Sequence, residues 1–160
     1  MKEIKIESIL YLFDNIEETS KDVQDLMKRA EEARQKAYAP YSKFMVGAAL
    51  FLDNGEVING SNQENASYPS GLCAERTAIY YAGAQFPNAK ILKMAIIAGS
   101  KIHPTVKPIP PCGACRQAIA EYEVKQEQPI EIYFMGATGK VAKSNSLANL
   151  LPLVFDKSVL

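Results

Sequence analysis

Hydrophobic residues recur at helical spacing after Thr19-Ser20, while charged residues fill the remaining positions of the segment. The apolar set is Val23, Leu26, Met27, Ala30, Ala33 and Ala37. Such a stripe predicts an amphipathic helix with one face in the core. Threonine and serine are favoured just before a helix, and a residue that precedes proline disfavours helical geometry. The helix is therefore expected to follow Thr19-Ser20 and to stop at Ala39-Pro40.

Apolar runs and turn residues predict strands further along the chain. Residues 44–52 are apolar, Asn54-Gly55 is typical of a tight turn, and residues 56–59 return, which together predict a β-hairpin. Ile91–Ala98 and Ile130–Met135 are shorter apolar runs, typical of buried strands.

Two further segments, Cys73–Ala84 and Pro111–Tyr122, have helical character, and proline suits the first turn because no amide hydrogen is needed there. Lys101–Pro111 contains four prolines and is expected to be an irregular loop. Another short strand and a helix from about Ser146 complete the predicted order. This alternation of strands and helices predicts an α/β fold in which helices pack over a sheet.

Length and composition indicate one folded unit. A chain of 160 residues lies within the usual range of a single domain, and its 48% hydrophobic and 22% charged residues are typical of a globular protein. The apolar segment Ile9–Phe13 is too short and too irregular in period to assign. We expect a single domain over residues 1–160, with residues 1–19 as an N-terminal extension packed on it.

The charge balance bears on the partners of the protein. Eighteen basic and eighteen acidic residues give a formal net charge of zero, so no broad basic field is available to attract nucleic acid. The first residues mix both charge signs, unlike a secretory signal, and no apolar stretch approaches the ~20 residues of a membrane span. We expect a cytoplasmic protein that binds neither nucleic acid nor membrane.

The three cysteines indicate a metal site. An odd number does not suit a disulfide framework, and cytosolic thiols stay reduced. Cys112 and Cys115 lie three residues apart at a predicted helix start, so both can face one ion; alone, such a pair also fits a redox pair or ordinary buried cysteines. Cys73, at the start of the other predicted helix, supplies a third thiol. Three protein ligands with one free position are typical of catalytic zinc, and we expect one Zn²⁺ per chain.

Two charged residues beside Cys73 are candidates for supporting roles. At a helix N-terminus the Glu75 carboxylate can turn toward the metal water without binding the metal, and can take up and deliver protons. Its alternative role is a partner of the helix dipole. Arg76 can draw charge from the sulfur ligands, although a surface charge is the commoner fate of a single arginine. His103, the only histidine, is expected on the surface.

The chain resembles the small homotetrameric cytidine deaminases. The resemblance is carried by Cys73–Ala78 and Pro111–Gln117, and it continues through Tyr38–Phe44, Val46–Leu50, Asn62, Glu64–Tyr68, Leu150–Pro152 and Phe155, covering about residues 20–155. Zinc deaminases are known with three cysteine ligands and a glutamate that is not a ligand. The resemblance implies a three-layer α-β-α fold with a mixed five-stranded sheet, and a homotetramer whose active sites are shared across subunits.

The resemblance also implies roles for individual residues on a nucleoside substrate. Asn62 and Glu64 match residues that bind the ribose hydroxyls, and Phe44 matches an aromatic residue that packs on the pyrimidine. Phe155 matches a residue that reaches the site from a neighbouring subunit, and backbone groups near Ala74 and Pro111 match those that recognise the base and the leaving ammonia. From the residues alone, both phenylalanines would be core residues.

The chain departs from the family pattern in three places, and two alternative functions remain. The first twenty or so residues have no counterpart in the shortest members of the family, Ser61 and Gln63 replace cysteine and an aliphatic residue, and Pro110 precedes the second motif. Gln63 can alter sugar preference or face a partner subunit. The alternative activity is deamination of a modified cytosine nucleoside such as blasticidin S. The alternative of another class is a non-enzymatic zinc-stabilised binding module, which requires a fourth protein ligand.

Overall fold

The predicted hairpin forms around a positive-φ glycine. In the computed structural model, which describes residues 1–160, Gly55 has a φ of 87° and joins two antiparallel strands that begin at Phe44 and Val57. The hairpin is therefore confirmed. The elements in chain order are β1 (Tyr11–Phe13), α1 (Lys21–Arg34), β2 (Phe44–Leu52), β3 (Val57–Ser61), α2 (Ala74–Gln85), β4 (Ile91–Ser100), α3 (Gly113–Gln126), β5 (Glu131–Met135) and β6 (Val141–Ser144). Single turns of 3₁₀ helix occur at Ile16–Glu18, Tyr68–Ser70, Leu147–Asn149 and Lys157–Val159.

The strands form one mixed sheet in the order β1-β6-β5-β4-β2-β3. Strands β4 and β5 are parallel, and every other neighbouring pair is antiparallel. A parallel pair needs a crossover connection, and α3 supplies it on one face of the sheet.

Alternating side chains of β2 divide the core into two layers. Ala48, Leu50 and Leu52 belong to a buried cluster with residues of α2 and α3, whereas Ala49 belongs to a second cluster with α1. Because successive side chains of a strand point to opposite faces, α1 covers one face and α2 and α3 cover the other. The predicted α/β fold with helices on both faces is confirmed.

The prediction of five strands is wrong, because the sheet has six. The additional strand is β1, which comes from the N-terminal segment and pairs antiparallel with β6, with Tyr11 opposite Lys143 and Phe13 opposite Val141. Without β1, the backbone of β6 would form an unpaired edge, which folded proteins commonly cover. This pairing joins residues about 130 positions apart, so no local pattern indicates it.

Several element boundaries also differ from the predictions. Helix α1 ends at Arg34, before the predicted stop at Ala39-Pro40. The predicted helix from Ser146 is a single 3₁₀ turn. Pro111 lies outside α3, because Cys112 is the residue that caps the helix. None of the helices combines the length and the apolar character that a membrane crossing requires.

Candidate active site

The three cysteines lie at the N-terminal ends of two neighbouring helices. Cys73 caps α2 and Cys112 caps α3, both with extended backbone geometry, and Cys115 lies in the first turn of α3. The two helices contact each other on the same face of the sheet. Unpaired amide groups and the positive end of the helix dipole stabilise negative charge at such positions. The fold therefore brings all three thiols to the N-terminal ends of two neighbouring helices.

The sulfur atoms are close enough to bind one metal ion. All three Sγ atoms lie within 4.8 Å of one another, and the Cys73 and Cys112 atoms are 3.9 Å apart. A tetrahedral zinc site with Zn–S bonds of about 2.3 Å separates its sulfur ligands by roughly 3.8 Å. The group includes no fourth donor, and His103 is not part of it. The donor type, spacing and number fit zinc with one open position.

Burial differs among the three ligand candidates. Cys115 is fully buried, Cys73 is half-buried and Cys112 is exposed. The Sγ cluster therefore has one side in the protein core and one side open to solvent. A catalytic metal needs this asymmetry, because the core side fixes the ligands while the open side admits a substrate.

Hydrogen bonds polarise the thiol pair formed by Cys73 and Cys115. A hydrogen bond from the Cys115 thiol, together with Arg76, lowers the pKa of Cys73 to about 5. The same hydrogen bond, along with burial, raises the pKa of Cys115. Arg76 Nη2 lies 3.9 Å from Cys73 Sγ, whereas the buried Arg76 Nε has no hydrogen-bond partner. The guanidinium thus lies against the ligand cluster, in the position that the spacing of Cys73 and Arg76 suggested.

Glu75 is the second residue of α2, and only 5% of its surface is exposed. Burial raises the pKa of its carboxyl group above the usual range. A raised pKa brings the carboxyl group nearer to neutral pH, which suits a group that has to accept and release protons.

A groove of about 490 Å³ opens beside Cys73 and Arg76. Two of the predicted sugar-binding residues, Asn62 and Glu64, also line it, as does Gln63. Tyr41, Ser42, Asn65, Tyr68, Gly71 and Leu72 complete the lining. The structure therefore brings Cys73, one of the three candidate zinc ligands, and the two predicted sugar-binding residues to one cavity.

Phe44, Ala74, Glu75 and Phe155 do not line this groove. Phe44 is half-buried at the start of β2, and Ala74 is buried at the start of α2. Phe155 lies on the C-terminal segment with 62% of its surface exposed, and its carbonyl oxygen accepts a hydrogen bond from Gln117. Within one chain, the Phe155 ring is neither a core residue nor part of the groove.

The residues that sequence reasoning missed are the groove residues on the Tyr41-Ser42 turn and Tyr68. The rings of Tyr41 and Tyr68 lie 6.3 Å apart at the groove. Both tyrosines and Ser42 fall in segments that carry the family resemblance, but their residue types alone indicate no role. Only their placement in space shows that they belong to the site.

Comparison with known proteins defines the class of this fold and site. Residues 20–128 match the sequence model of the cytidine and deoxycytidylate deaminase zinc-binding region. The chain belongs to this family, so the predicted family and the predicted zinc cofactor are confirmed.

Individual relatives agree with this assignment. The cytidine deaminase of Halalkalibacterium halodurans is 49% identical over 100 residues, which are 62% of this chain and 71% of that protein. The cytidine deaminase of Sporosarcina psychrophila is 38% identical over 85% of this chain and 93% of its own length. A crystal structure of cytidine deaminase from Burkholderia pseudomallei superposes with a TM-score of 0.71 at 38% identity, covering 86% of this chain and all of that one.

Two glycines allow the helices to approach the sheet closely. A Cβ atom at Gly60 on β3 would lie 2.4 Å from Ala74 O and 2.6 Å from Ala78 N of α2. A Cβ atom at Gly47 on β2 would lie 2.0 Å from Ala30 O of α1. Both contacts are with backbone atoms, so the helix would have to move.

Replacing either glycine with alanine is expected to destabilise the fold by about 1–3 kcal/mol, because a packed interface must be forced apart. Urea unfolding measures this loss. Only Gly60→Ala displaces the helix end that carries Cys73 and Glu75, so only this variant should lose zinc faster to a chelator while still folded. Gly47→Ala is the matched control, and equally fast zinc loss from both variants would contradict the argument.

Proposed function

We propose that this protein catalyses the zinc-dependent hydrolytic deamination of cytidine and deoxycytidine to uridine and deoxyuridine, with release of ammonia, as a step of pyrimidine salvage. The observation that carries the proposal is the cluster of three sulfur atoms within 4.8 Å, beside a buried glutamate and an open groove. Family membership and curated relatives that are named cytidine deaminase support the same reaction.

In this proposal Cys73, Cys112 and Cys115 hold Zn²⁺. When bound, the ion acts as a Lewis acid and makes a water molecule nucleophilic at neutral pH. Three thiolates carry more negative charge than the ion neutralises, which weakens this effect. Two features offset that charge. The Arg76 guanidinium lies against Cys73 Sγ, and the backbone amide groups at the N-terminal ends of α2 and α3 lie close to the cysteines.

Glu75 moves the protons of the reaction. Addition of water at C4 of cytosine requires one proton to leave the water and one to reach the ring nitrogen N3, and expulsion of the amino group as ammonia requires another proton transfer. The buried carboxylate takes one proton from the attacking water and delivers it to N3. It then takes the remaining proton of that oxygen, from the hydroxyl group now on C4, and delivers it to the departing amine, which leaves ammonia and the C4 carbonyl of uridine. One carboxylate can serve every transfer because each delivery of a proton returns it to the ionised form.

Asn62 and Glu64 recognise the sugar in this proposal. The Asn62 side chain already binds the start of β2, through Nδ2 to Phe44 O at 3.0 Å and Oδ1 to Val46 N at 2.8 Å. Each of these atoms retains further hydrogen-bonding capacity. Phe44 packs on the pyrimidine, and backbone groups of Ala74 and Pro111 bind the base and the leaving ammonia.

The assembly proposed for the protein is a homotetramer in which Phe155 reaches the site of a neighbouring subunit. Exposure of the Phe155 ring and of the aromatic pair Tyr41 and Tyr68 supports this assembly, because a shared site would bury them. We also propose one domain over residues 1–160 with residues 1–19 as its extension, and a cytoplasmic location, where the three free thiols stay reduced.

Elemental analysis of the purified protein, combined with an absorbance assay of uridine formation, tests the proposed function. We expect one zinc per chain and turnover of cytidine and deoxycytidine in preference to blasticidin S. Zinc without turnover of any nucleoside would favour a non-enzymatic zinc-stabilised module. Preferential turnover of blasticidin S would show instead that the substrate is a modified cytosine nucleoside.

A further inference from the structure

The carboxylate of Glu64 is held by three hydrogen-bond donors from a single turn. Glu64 Oε2 accepts from the amide groups of Tyr41, at 2.9 Å, and Ser42, at 3.3 Å, and Oε1 accepts from the Ser42 hydroxyl. Although partial desolvation acts in the opposite direction, these hydrogen bonds lower the pKa of Glu64. The carboxylate is therefore ionised and fixed in orientation, although Glu64 is only half-buried.

The Ser42 hydroxyl is engaged on both sides. Its oxygen accepts a hydrogen bond of 2.9 Å from the amide group of Phe44, so the hydroxyl hydrogen is directed away from that amide and toward Glu64. The backbone of Lys43 also holds the turn, because Lys43 N donates to Ala39 O and Lys43 O accepts from Lys101 N. Lys43 has a φ of 57°, the left-handed geometry that reverses the chain at this point.

These contacts leave Glu64 with a defined remaining capacity. A carboxylate offers about four acceptor positions, two on each oxygen. Three of them are filled by the turn, and the free one is on Oε1, the oxygen that Ser42 binds. The side chain of Asn62, two residues earlier, is hydrogen-bonded to the start of β2. Asn62 and Glu64 are therefore both positioned by the segment at the beginning of this strand.

We propose that Ser42 is a positioning residue for sugar recognition, whose hydroxyl fixes the Glu64 carboxylate so that its one free acceptor position receives a single hydroxyl group of the nucleoside. The proposal rests on the proposed function and adds to it the group that sets the orientation of the acid. Ser42 does not contact the reacting atoms in this account. It acts on the binding of the sugar and not on the chemical step.

Steady-state kinetics of Ser42→Ala, with Ser42→Thr as the matched control, test this role. A hydrogen bond to a charged group is worth a factor of about 10 or more in binding. We expect Ser42→Ala to raise KM for cytidine about tenfold, to change kcat less than about twofold, and to leave zinc content unchanged. Ser42→Thr keeps the hydroxyl and should restore KM to within about threefold of the parent value. KM for 2′,3′-dideoxycytidine, which lacks both ring hydroxyls of the sugar and so cannot donate one of them to Glu64, should not change in either variant.

A double-mutant cycle with Glu64→Ala shows whether Ser42 acts through the carboxylate. Once Glu64 is removed, Ser42→Ala should have no further effect on KM, because the two changes delete one interaction. Independent effects that multiply, an equal loss on the dideoxynucleoside, or a loss confined to kcat would each overturn the role of Ser42 while leaving the proposed function intact. A zinc-loaded parent protein without cytidine turnover would instead overturn the proposed function, and the role of Ser42 with it.

Discussion

Replacing Glu75 with glutamine is expected to lower kcat for cytidine by about 10³-fold, while zinc stays bound. Proton transfer by a positioned side chain contributes typically 10²–10⁴-fold to a rate, and the amide of glutamine can neither accept the proton of water nor deliver one to N3. Glutamine has nearly the same size as glutamate, so the buried site at the start of α2 should remain packed. Moreover, burial opposes the charge of Glu75, so a neutral replacement should not reduce stability.

Single-turnover kinetics, together with zinc content and Tm, measure this effect. Glu121→Gln, which removes an exposed carboxylate from α3, is the matched control and should be indistinguishable from the parent protein. Turnover of Glu75→Gln within tenfold of the parent rate would remove Glu75 from the proton transfers. Loss of zinc from this variant would mean instead that the carboxylate holds the metal.

Replacing Cys115 with alanine is expected to abolish both zinc binding and activity and to lower thermal stability. The Cys115 sulfur is the buried member of the cluster, so no exposed group can take its place. A ligand present at 1,000 times its dissociation constant stabilises the folded state by about 4 kcal/mol, which corresponds to a change in Tm of about 8–16 °C for a chain of this size. The variant should lose this contribution in full.

Calorimetry of the parent protein and of Cys115→Ala, each with and without a chelator, separates the metal from the side chain. The chelator should lower the Tm of the parent protein by about 10 °C and leave that of the variant unchanged. Because alanine also removes packing atoms, the variant should melt at or slightly below the metal-free parent. A further chelator-induced drop in the variant would show that zinc is held without Cys115.

Some contacts of the candidate zinc site follow from local sequence spacing and others do not. The spacing of Cys112 and Cys115 at a predicted helix start indicated that both thiols face the same metal ion, because residues three apart lie on one side of the first turn. The contact of Arg76 with Cys73 follows from the same local rule. In contrast, the 3.9 Å approach of Cys73 to Cys112 joins positions 39 residues apart and depends on how α2 and α3 pack on the sheet.

The Ser42–Glu64 contact shows the opposite limit. It connects residues 22 positions apart, next to a turn where Lys43 adopts a positive φ although it is neither glycine nor asparagine. The sixth strand is similar, because β1 is too short to show a period and is defined only by its pairing with β6. Neither feature changes the hydrophobic pattern, so neither can be detected in it.

The amino-acid sequence alone determined the class of fold, the hairpin at Asn54-Gly55, the helix starts that carry the thiols, and the family to which their spacing belongs. The fold class, the hairpin and the helix starts depend on local backbone preferences and side-chain periodicity, and the family resemblance depends on short motifs that can be recognised one by one along the chain. The tertiary structure decided the sixth strand, the distances among the sulfur atoms, and the turn that fixes Glu64. Those features arise from contacts between distant segments, whose geometry is set by packing of the whole chain and not by any one stretch of it.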